Sequence, residues 1–489
     1  MITRRRLMAS MAASLGAAAS LQGKDRPNVV FLSVDDMNDW VNSLGGYAGV
    51  KTPNIDALGK RGVLFSNAHC ASPLCNPSRT SLLTGMRPDT TGIYNNDQFL
   101  RPEHPDIETL PVYFKKNGYH VAGAGKVFHH TAGMNPPDQW DEFKLQVFDD
   151  PWYRRDEWYP WNKKIPAPQG HPFNGLKNFQ GEFDWGILDR PDSEFGDSAA
   201  VQFGQEYLKR KHTKPFFLAV GLWHPHIPMF APKRFFDMYP ENDIRLPVSP
   251  EDDLNDVPAM GQKFAAFRRS EHQRILAEGK WKEAVRAYLA CVSFADHLIG
   301  QLVASLDASP YARNTVLVFW SDNGWHLGEK QHWHKSTLWE RSTHVPLIIA
   351  APGMRNAGTA RTQAVSLLDL YPTLVELCGL PRNPRLEGES LAALLKNPKA
   401  KHSPAVSTFE PGNHSVRTER WRYIRYRDGG EELYDRQTDP NEWKNLASLA
   451  EHAGLKRDLA KWIPKTSAPS RPGRDAYDFD FSTYTYKRK

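Results

Sequence analysis

The chain has 489 residues, of which 40% are hydrophobic and 24% are charged, as in an ordinary soluble globular protein. This length exceeds the size at which a single core stops growing, so we expect one large domain and a smaller one. The formal net charge is +6, but three of the positive charges lie in the export-like start of the chain, and the rest is nearly neutral. With no zinc-finger or RNA-binding motif in addition, the sequence predicts no nucleic acid partner.

Residues 1–22 have the pattern of an export signal. Arg4, Arg5 and Arg6 precede an apolar, alanine-rich run that ends in small residues. The order of residues 3–8 resembles the twin-arginine signal by which bacteria export folded proteins, and an ordinary secretory signal or an uncleaved anchor remains an alternative. Because the run is short and alanine-rich for a membrane span, we expect a periplasmic or secreted protein with no stable membrane insertion after signal removal.

Four apolar runs have the pattern of buried strands in an α/β sheet. They cover residues 27–34, 119–124, 215–221 and 315–321, and polar residues follow each of them. Helical patterns alternate with these runs, at residues 52–58, 281–306 and 367–377. The alternation predicts an α/β fold with a large central sheet, mostly parallel or mixed, flanked by helices. Ligands of such sheets bind beyond the carboxyl ends of the strands, where the polar residues are expected to meet.

The composition changes after residue 396. Residues 397–404 resemble a linker, and strand patterns at 405–409 and 421–426 precede a last helical pattern at about 448–462. We therefore divide the chain into an export signal (1–22), a main domain (24–396) and a carboxyl-terminal subdomain (405–489). The residues beyond 464 are expected to be poorly structured, ending in a solvated basic tail. Residues 139–192 are expected to form a long surface excursion.

The most informative segment is Cys75-Asn76-Pro77-Ser78-Arg79-Thr80-Ser81-Leu82-Leu83-Thr84-Gly85. On its own, a Cys followed by Pro and Arg before an apolar helix start leaves two alternatives, a low-pKa thiol near a helix N-terminus and an ordinary structural cysteine. The segment resembles the C-x-P-S-R-x-x-x-L-T-G signature of the type I sulfatases, which depend on formylglycine and belong to the alkaline-phosphatase-like superfamily. The resemblance implies a sulfuric ester hydrolase with that fold and a small carboxyl-terminal antiparallel sheet.

The resemblance also implies roles for Cys75 and Arg79. A maturation enzyme would convert Cys75 to formylglycine, whose hydrate is the nucleophile, and the positive charge of Arg79 would favour the ionised hydrate. Conversion would leave three cysteines, Cys70, Cys291 and Cys378. An odd number leaves at least one free thiol, and the last two lie in apolar helical patterns typical of buried thiols. We therefore predict no disulfide framework.

Acidic and amide side chains follow two of the predicted strands. Asp35 and Asp36 come after the first strand, and Asp322 and Asn323 come after the last. All four offer oxygen ligands, which suit Ca²⁺, or less well Mg²⁺, rather than zinc, although adjacent acids at a strand end are also common in solvated turns. The resemblance implies that the four residues bind Ca²⁺ together with the formylglycine at position 75.

Four further site residues follow from the resemblance. Residues 125–129 are similar to a G-K-x-x-H element, which makes Lys126 a sulfate ligand and His129 a partner of the formylglycine hydrate. Residues 225–228 resemble a P-H-x-P element, which makes His226 the acid that protonates the leaving alcohol. Residues 327–335 match a stretch in which a lysine binds sulfate, and that lysine is Lys335.

Together these residues imply a reaction cycle. One hydroxyl of the hydrate, held on Ca²⁺, attacks sulfur while His226 protonates the leaving oxygen. The second hydroxyl then loses its proton towards His129 and expels sulfate. Of the neighbouring histidines, His130 is expected at the surface, and His224 is expected either beside the substrate or at the surface.

Several segments look closer to the iduronate-2-sulfatases than to the arylsulfatases, among them residues 87–94, 125–129, 225–228 and 342–348. Asn323 departs from that group, which has His there, and the loop at 95–101 differs in its middle. Arg101 in this loop would pair with a uronate carboxylate or lie at the surface. The expected partner is a sulfated saccharide, first a 2-O-sulfated uronate cleaved by exo action. Another marine or host sulfated polysaccharide, and an inactive sulfatase-like carbohydrate-binding protein, remain alternatives.

Overall fold

The computed structural model describes residues 26–131, 133–144, 173–176 and 183–489. The expected export signal lies outside the described residues, as do 145–172 and 177–182 of the expected excursion. The described strands are β1 Asn28–Asp35, β2 Val63–Phe65, β3 Ala68–His69, β4 His120–Gly125, β5 Glu142–Lys144, β6 Trp185–Ile187, β7 Phe216–Pro225, β8 Met229–Ala231, β9 Thr315–Ser321, β10 His326–Leu327, β11 Trp333–His334, β12 His344–Val345, β13 Leu347–Ala350, β14 Thr359–Arg361, β15 Val365–Ser366, β16 Ala405–Thr408, β17 His414–Arg417, β18 Trp421–Arg425, β19 Glu431–Asp435, β20 Tyr477–Asp480 and β21 Thr485–Arg488. The described α-helices are α1 Pro53–Arg61, α2 Cys75–Thr84, α3 Pro88–Thr91, α4 Leu110–Lys116, α5 Gly196–Lys209, α6 Lys233–Asp237, α7 Ala259–Ala266, α8 Arg269–Ala277, α9 Trp281–Asp307, α10 Glu340–Thr343, α11 Leu370–Leu377, α12 Ala392–Lys396 and α13 Ala453–Ala460.

Eight strands form the central sheet, in the order β14, β2, β13, β9, β1, β7, β4, β5. The inner strands β9, β1, β7 and β4 run parallel, and β13 runs antiparallel to β9 and β2, so the sheet is mixed. Every residue of β1 and β9 is buried, because a strand covered on both faces needs apolar side chains on both. The four predicted strands are confirmed as these neighbours, and their carboxyl ends lie at one edge.

Helices cover both faces of the sheet and enclose a core on each. Leu32 of β1 belongs to the core on the side of α1, α5 and α9, whereas the adjacent Phe31 belongs to the core on the side of α2, α4 and α11. This alternation is the period of two that a strand imposes on its side chains. By length and composition α9 could cross a membrane, but its apolar side chains lie in the first core.

The carboxyl-terminal region contains a separate antiparallel sheet in the order β16, β17, β18, β19, which confirms the small antiparallel-sheet region. Its side chains form two small cores, one with Phe264 of α7 and one with Leu459 of α13. The last helix, α13, is shorter than its sequence pattern, because residues 450–452 form a 3₁₀ turn before it.

The residues beyond 464 differ from the expectation of a poorly structured tail. Strands β20 and β21 pair as a hairpin over Tyr477–Asp480 and Thr485–Arg488, and Tyr477 packs on Phe99 with their ring centres 5.9 Å apart. The backbone N–H of Ala468 donates to the Asp89 carbonyl at 2.7 Å. Aromatic contacts and backbone hydrogen bonds therefore order a segment whose composition suggests a tail.

The four cysteines are free and buried, namely Cys70, Cys75, Cys291 and Cys378. This confirms the prediction that the chain has no disulfide framework.

Candidate active site

The polar residues at the carboxyl ends of β1 and β9 meet in one buried cluster. Asp35 is the last residue of β1, and Asp36 follows it with a φ of 60°, a left-handed conformation that is strained for a residue with a side chain. The backbone N–H of Asp36 donates to Asp322 Oδ1 at 3.1 Å, and Asn323 Nδ2 donates to Asp36 Oδ1 at 2.7 Å. The structure thus brings together all four residues expected to bind a metal.

Cys75 lies against the same cluster as the first residue of α2. Its Sγ is 2.9 Å from Lys335 Nζ, and it is 4.0 Å from both Lys126 Nζ and Asp36 Oδ1. Burial, followed by the nearby charge of Asp35, raises the pKa of the Cys75 thiol well above its usual value. The alternative of a low-pKa thiol at a helix N-terminus is therefore wrong, because desolvation outweighs the favourable position.

Lys126 reaches the cluster because two glycines bring β4 and β7 close together at their carboxyl ends. Gly125 pairs with Gly221, and the Lys126 N–H donates to the Gly221 carbonyl at 3.0 Å. A Cβ at Gly125 would lie 2.0 Å from that carbonyl oxygen, so the approach requires glycine. Lys126 forms an ion pair with Asp35, and its Nζ lies 4.1 Å from the centre of the Trp223 ring.

Arg79 holds the acidic side chains in place. Its Nε donates to Asp322 Oδ2 at 2.8 Å, its Nη2 donates to Asp35 Oδ1 at 3.2 Å, and its Nη1 donates to the Lys126 and Val127 carbonyls. The hydrogen bonds of Arg79 orient the carboxylates that surround Cys75. The expectation that its positive charge favours the ionised hydrate stays a prediction, and the electrostatic interaction of Arg79 with Cys75 is consistent with it.

The cluster combines three carboxylates, of Asp35, Asp36 and Asp322, with three cations. Burial raises the pKa of Asp36 to about 7 and that of Asp322 to about 6. Burial would also raise the pKa of Asp35, but neighbouring positive charge, that of Lys126 first, holds it well below its usual value. Burial opposes the charge of Lys335, yet the ion pair with Asp36 raises the pKa of Lys335 above its usual value.

The acidic residues fit a divalent cation. Carboxylate oxygens of Asp35, Asp36 and Asp322 lie within 4.8 Å of one another. Two buried oxygens, Asp36 Oδ2 and Asn323 Oδ1, accept no hydrogen bond from the described residues. A buried oxygen without a partner is costly, and a bound cation would satisfy both. Since the candidate ligands are all oxygens, they suit Ca²⁺ or Mg²⁺.

His129 and His226 line the pocket above this cluster. His226 Nε2 lies 3.5 Å from Asp36 Oδ2, and its Nδ1 lies 2.5 Å from the Ile227 carbonyl oxygen. Because a carbonyl only accepts hydrogen bonds, Nδ1 carries a hydrogen and Nε2 is the nitrogen that can exchange a proton. Burial, together with the charge of the nearby lysines, lowers the pKa of both histidines well below its usual value.

His224 does not lie beside the substrate pocket. Its Nδ1 bonds to Asp197 Oδ2 at 2.6 Å, and its Nε2 bonds to the Phe230 carbonyl at 2.8 Å. Both ring nitrogens are thus used inside the fold, and the expected substrate role of His224 is corrected. The neighbouring expectation for His130 is also corrected, because His130 is buried and lines the pocket.

Arg101 also lies away from the pocket. It donates to the carbonyls of Pro105 and Ile107 at 3.0 and 3.2 Å. These bonds fold the loop after residue 99 on itself, so the expected pairing of Arg101 with a uronate carboxylate is corrected.

A cavity of about 660 Å³ opens above the cluster. The sequence predicted that His129, His226 and Lys335 belong to the site, and all three line this cavity. Most other lining residues were not predicted, and they come from residues 95–97, 263–268, 325–336, 409–410 and 474. His334 carries one weak signal, its place beside Lys335 in a recognised stretch. The other segments carry none, because only folding brings them together.

Comparison with known proteins assigns the family. The model of the Sulfatase family matches residues 27–380, which is more than half of the chain. This chain belongs to the sulfatase family. The model of the carboxyl-terminal region of N-sulphoglucosamine sulphohydrolase matches residues 328–468 of this sulfatase, which includes the small antiparallel sheet.

Individual relatives agree with this assignment. A sulfatase of Formosa agariphila is 39% identical and covers 91% of this chain and 87% of its own length. The human iduronate 2-sulfatase is 32% identical and covers 78% of this chain and 74% of its own length. A solved structure in complex with its substrate D-glucosamine-2-N,6-O-disulfate has a TM-score of 0.69 at 21% identity, and covers 89% of this chain and 96% of that chain. The chain is therefore a sulfuric ester hydrolase with the alkaline-phosphatase-like sulfatase fold.

Proposed function

We propose that this sulfatase hydrolyses a sulfate ester on a saccharide, with formylglycine made from Cys75 and with Ca²⁺ held by Asp35, Asp36, Asp322 and Asn323. The observation that carries the proposal is the position of Cys75. Its Sγ lies within 4.0 Å of two lysines and of the acidic cluster, and one of these lysines, Lys335, lines a cavity large enough for a sugar.

Formylglycine and Ca²⁺ would supply chemistry that the unmodified side chains of the cluster lack. A hydrated aldehyde at position 75 supplies two hydroxyls on one carbon, one to attack sulfur and one to release sulfate, and Ca²⁺ supplies positive charge beside them. The three carboxylates and three cations of the cluster balance. A divalent cation adds two positive charges, of which a bound sulfate ester would offset one and released sulfate would offset both. Lys126 and Lys335, now paired with Asp35 and Asp36, would then bind the sulfate oxygens.

His226 and His129 are the candidate proton carriers. The free Nε2 of His226 faces the cluster, 3.5 Å from Asp36 Oδ2, and is assigned to protonate the leaving oxygen. His129 is buried, lines the same cavity, and is assigned to accept the proton when sulfate is released. Burial first, and then the charges of Lys335 and Lys126, lower the pKa of His226. Negative charge on the bound sulfate would offset the contribution of the two lysines.

The relatives support a first substrate class. Human iduronate 2-sulfatase, at 32% identity, supports exo-hydrolysis of a 2-O-sulfated uronate. Another marine or host sulfated polysaccharide is the second candidate. It is supported by the export pattern of residues 1–22, and by the position of Arg101, which was expected to bind the uronate carboxylate but lies away from the cavity. Both candidates keep the same chemistry at Cys75 and differ in the sugar that fills the outer cavity.

The test combines mass spectrometry with a substrate screen. Protein produced with a maturation enzyme is digested, and the peptide with Cys75 should show the mass loss of thiol-to-aldehyde conversion, whereas the peptide with Cys291, a buried cysteine outside the signature, should not. A panel of defined sulfated disaccharides should then reveal turnover of one class. Full activity with an unmodified thiol would refute the mechanism, and binding without turnover by converted protein would indicate a carbohydrate-binding protein.

We also propose that the protein is exported, on the pattern of residues 1–22. Fractionation of an expressing bacterium, with amino-terminal sequencing of the product, tests this. A cytoplasmic product that retains residue 1 would contradict it.

A further inference from the structure

The cavity has two ends of different character. Its inner end is the buried cluster with Lys335, whereas its outer end carries Lys263, Phe267 and Arg474. Lys263 lies on α7, Phe267 lies in the turn before α8, and Arg474 begins a 3₁₀ turn near the end of the chain. We call these three residues the outer rim.

Arg474 lies at the cavity because residues near the end of the chain pack against the loop that follows helix α3. We call residues 467–489 the strap. The Arg471 N–H donates to the Gly92 carbonyl at 2.9 Å, and Gln98 Nε2 donates to Ser470 Oγ at 2.9 Å. The Gln98 carbonyl in turn accepts from Asn76 Nδ2 at 2.9 Å, so one chain of hydrogen bonds runs from the strap to the residue after Cys75.

Residues 469–489 of the strap lie beyond the segments that match the family models, the last of which ends at residue 468. Arg474 is one of these residues, in a segment that the fold holds in a defined place. The exposed fraction of Arg474 is large, but its backbone N–H is bonded to the Asp97 carbonyl at 2.5 Å, so its position at the cavity is set by the loop that it contacts.

The outer rim presents positive charge without a partner in the fold. Across the ranges that the structure describes, the side chains of Lys263 and Arg474 form no ion pair with another residue. Other charges at the cavity are mostly paired, since Arg268 bonds to Glu271 at 2.8 Å and Glu410 pairs with Arg427 at 3.3 Å. The carboxylate of Asp97 lies beside Gly473 and is the acidic exception.

Phe267 adds an apolar surface between these charges. Its ring is 67% exposed and lies 4.6 Å from the Arg268 guanidinium. At the mouth of a polar cavity this exposed ring offers a flat apolar face, and the apolar face of a sugar ring is of matching size.

We propose that the outer rim is a second anion subsite of this sulfatase, in which Lys263 and Arg474 bind a carboxylate or second sulfate of the saccharide while Phe267 packs on a sugar ring. This inference rests on the proposed function, since it takes the saccharide sulfate to occupy the inner end. It extends that function by placing a second negative charge of the substrate at the outer rim and by assigning Arg474 and Lys263 to specificity.

The experiment compares three disaccharides that share one sulfate ester: one with a uronate carboxylate, one in which that carboxyl is reduced to an alcohol, and one with a second sulfate in place of the carboxylate. Arg474→Gln and Lys263→Gln are assayed against Arg269→Gln, which removes an equal charge at an exposed position outside the cavity. For each variant the measured quantity is the ratio of kcat/KM for each dianionic substrate to that for the reduced one.

We expect Arg474→Gln and Lys263→Gln to lower this ratio about five- to tenfold, through KM rather than kcat, for whichever dianionic substrate fits, because each removes one charge-assisted contact. Arg269→Gln should leave the ratio unchanged. The substrate that responds identifies the anion as carboxylate or sulfate. A ratio that Arg474→Gln and Lys263→Gln leave unchanged with both dianionic substrates would overturn the subsite.

Binding measured on a Cys75→Ala background separates this inference from the proposed function. That protein cannot turn over substrate, so calorimetric Kd values for the three disaccharides report the subsite even if the assigned chemistry fails. Phe267→Ala should weaken the binding of all three disaccharides alike. Leu276 is also exposed and apolar but lies on α8 away from the cavity, so Leu276→Ala should weaken the binding of none. Equal binding of the charged and reduced disaccharides by the Cys75→Ala protein would refute the subsite, and binding without turnover in the unsubstituted enzyme would refute only the chemistry.

Discussion

Two buried clusters in this sulfatase both combine carboxylates with cationic side chains, but they differ in how their carboxylates are stabilised. One is the cluster around Cys75, with three carboxylates and three cations. The other lies where the main domain meets the carboxyl-terminal sheet, and there two glutamates are surrounded by three arginines: Glu340, Glu442, Arg417, Arg422 and Arg436. The second cluster connects α10 to strands β17 and β18 and so joins the two regions.

The clusters differ in how the fold treats their carboxylates. Both oxygens of Glu340 have a nitrogen of Arg417 within 3.4 Å, and the arginine charges outweigh burial and hold the pKa of Glu340 well below its usual value. Asp36 keeps one oxygen without a hydrogen bond among the described residues, and burial raises its pKa to about 7. Glu442 Oε1 also lacks a hydrogen bond there, but Arg422 Nε lies 2.5 Å from it in an ion pair. Positive charge thus outweighs burial at Glu340, whereas burial outweighs positive charge at Asp36.

The largest expected effect comes from Asp36→Asn, which keeps the shape of the side chain and removes its charge. Turnover should fall by about a thousandfold or more, because both the cation site and Lys335 lose a partner. Compared without metal, the free energy of unfolding should stay the same or rise, since burying this carboxylate is costly. Steady-state kinetics measure the turnover, and thermal unfolding measures the stability. Strong destabilisation by Asp36→Asn would contradict the proposed difference between Asp36 and Glu340.

His226→Ala should harm sugar sulfates more than activated aryl sulfates. A sugar alkoxide is a poor leaving group, so loss of its acid should cost about 10²- to 10³-fold in kcat/KM, whereas an aryl sulfate should lose about tenfold or less. Lys335→Ala serves as the comparison, because sulfate binding is common to both substrates and the two losses should be similar. Equal losses from His226→Ala would assign that residue to binding.

Glu340→Gln should do the reverse of Asp36→Asn. Removing one partner of a buried ion cluster leaves Arg417 and Arg422 with excess positive charge and should lower the free energy of unfolding by about 3 kcal/mol. Activity per folded molecule should be kept, because Glu340 contacts neither Cys75 nor the cavity lining. Denaturant titration measures the free energy of unfolding, and turnover divided by the concentration of folded protein measures the activity. A loss of activity per folded molecule would mean that the two clusters are coupled.

Chelation should lower the free energy of unfolding slightly less than Glu340→Gln does, while removing activity. At a Ca²⁺ concentration of 100 times Kd, binding to the folded state alone adds about 2.7 kcal/mol to the free energy of unfolding, and a chelator should remove that increment and turnover together. Added Ca²⁺ should restore both. The Asp36→Asn protein should show no such shift while Glu340→Gln shows it in full, and turnover that survives rigorous chelation would contradict the metal assignment.

The inner end of the site was largely predictable from the sequence. Asp35, Asp322 and Lys126 directly follow or end apolar runs that form parallel strands, and parallel strands deliver such residues to one edge. Cys75 lies in a contiguous motif that helix α2 keeps intact. Short-range order is enough for these residues, because each is tied to an element whose own sequence specifies it.

The roles of neighbouring residues were less predictable. Arg79 is in the motif, yet its hydrogen bonds to Asp322 and Asp35 arise from segments more than 40 residues away in sequence. His224 and His226 differ by two positions, but Asp197 of α5 occupies the first and leaves the second facing the cavity. A histidine's role depends on what packs beside it, which local sequence does not specify.

By itself the sequence determined the central α/β sheet, the motif around Cys75 and the oxygen-rich set at the strand ends, because hydrophobic periodicity and contiguous motifs are local properties. Only the tertiary structure decided the order of the strap, the raised pKa of Asp36, and the outer rim formed by Lys263, Phe267 and Arg474. Burial, charge pairing and contacts between residues 200 positions apart are sums over the whole fold, and no window of sequence contains them.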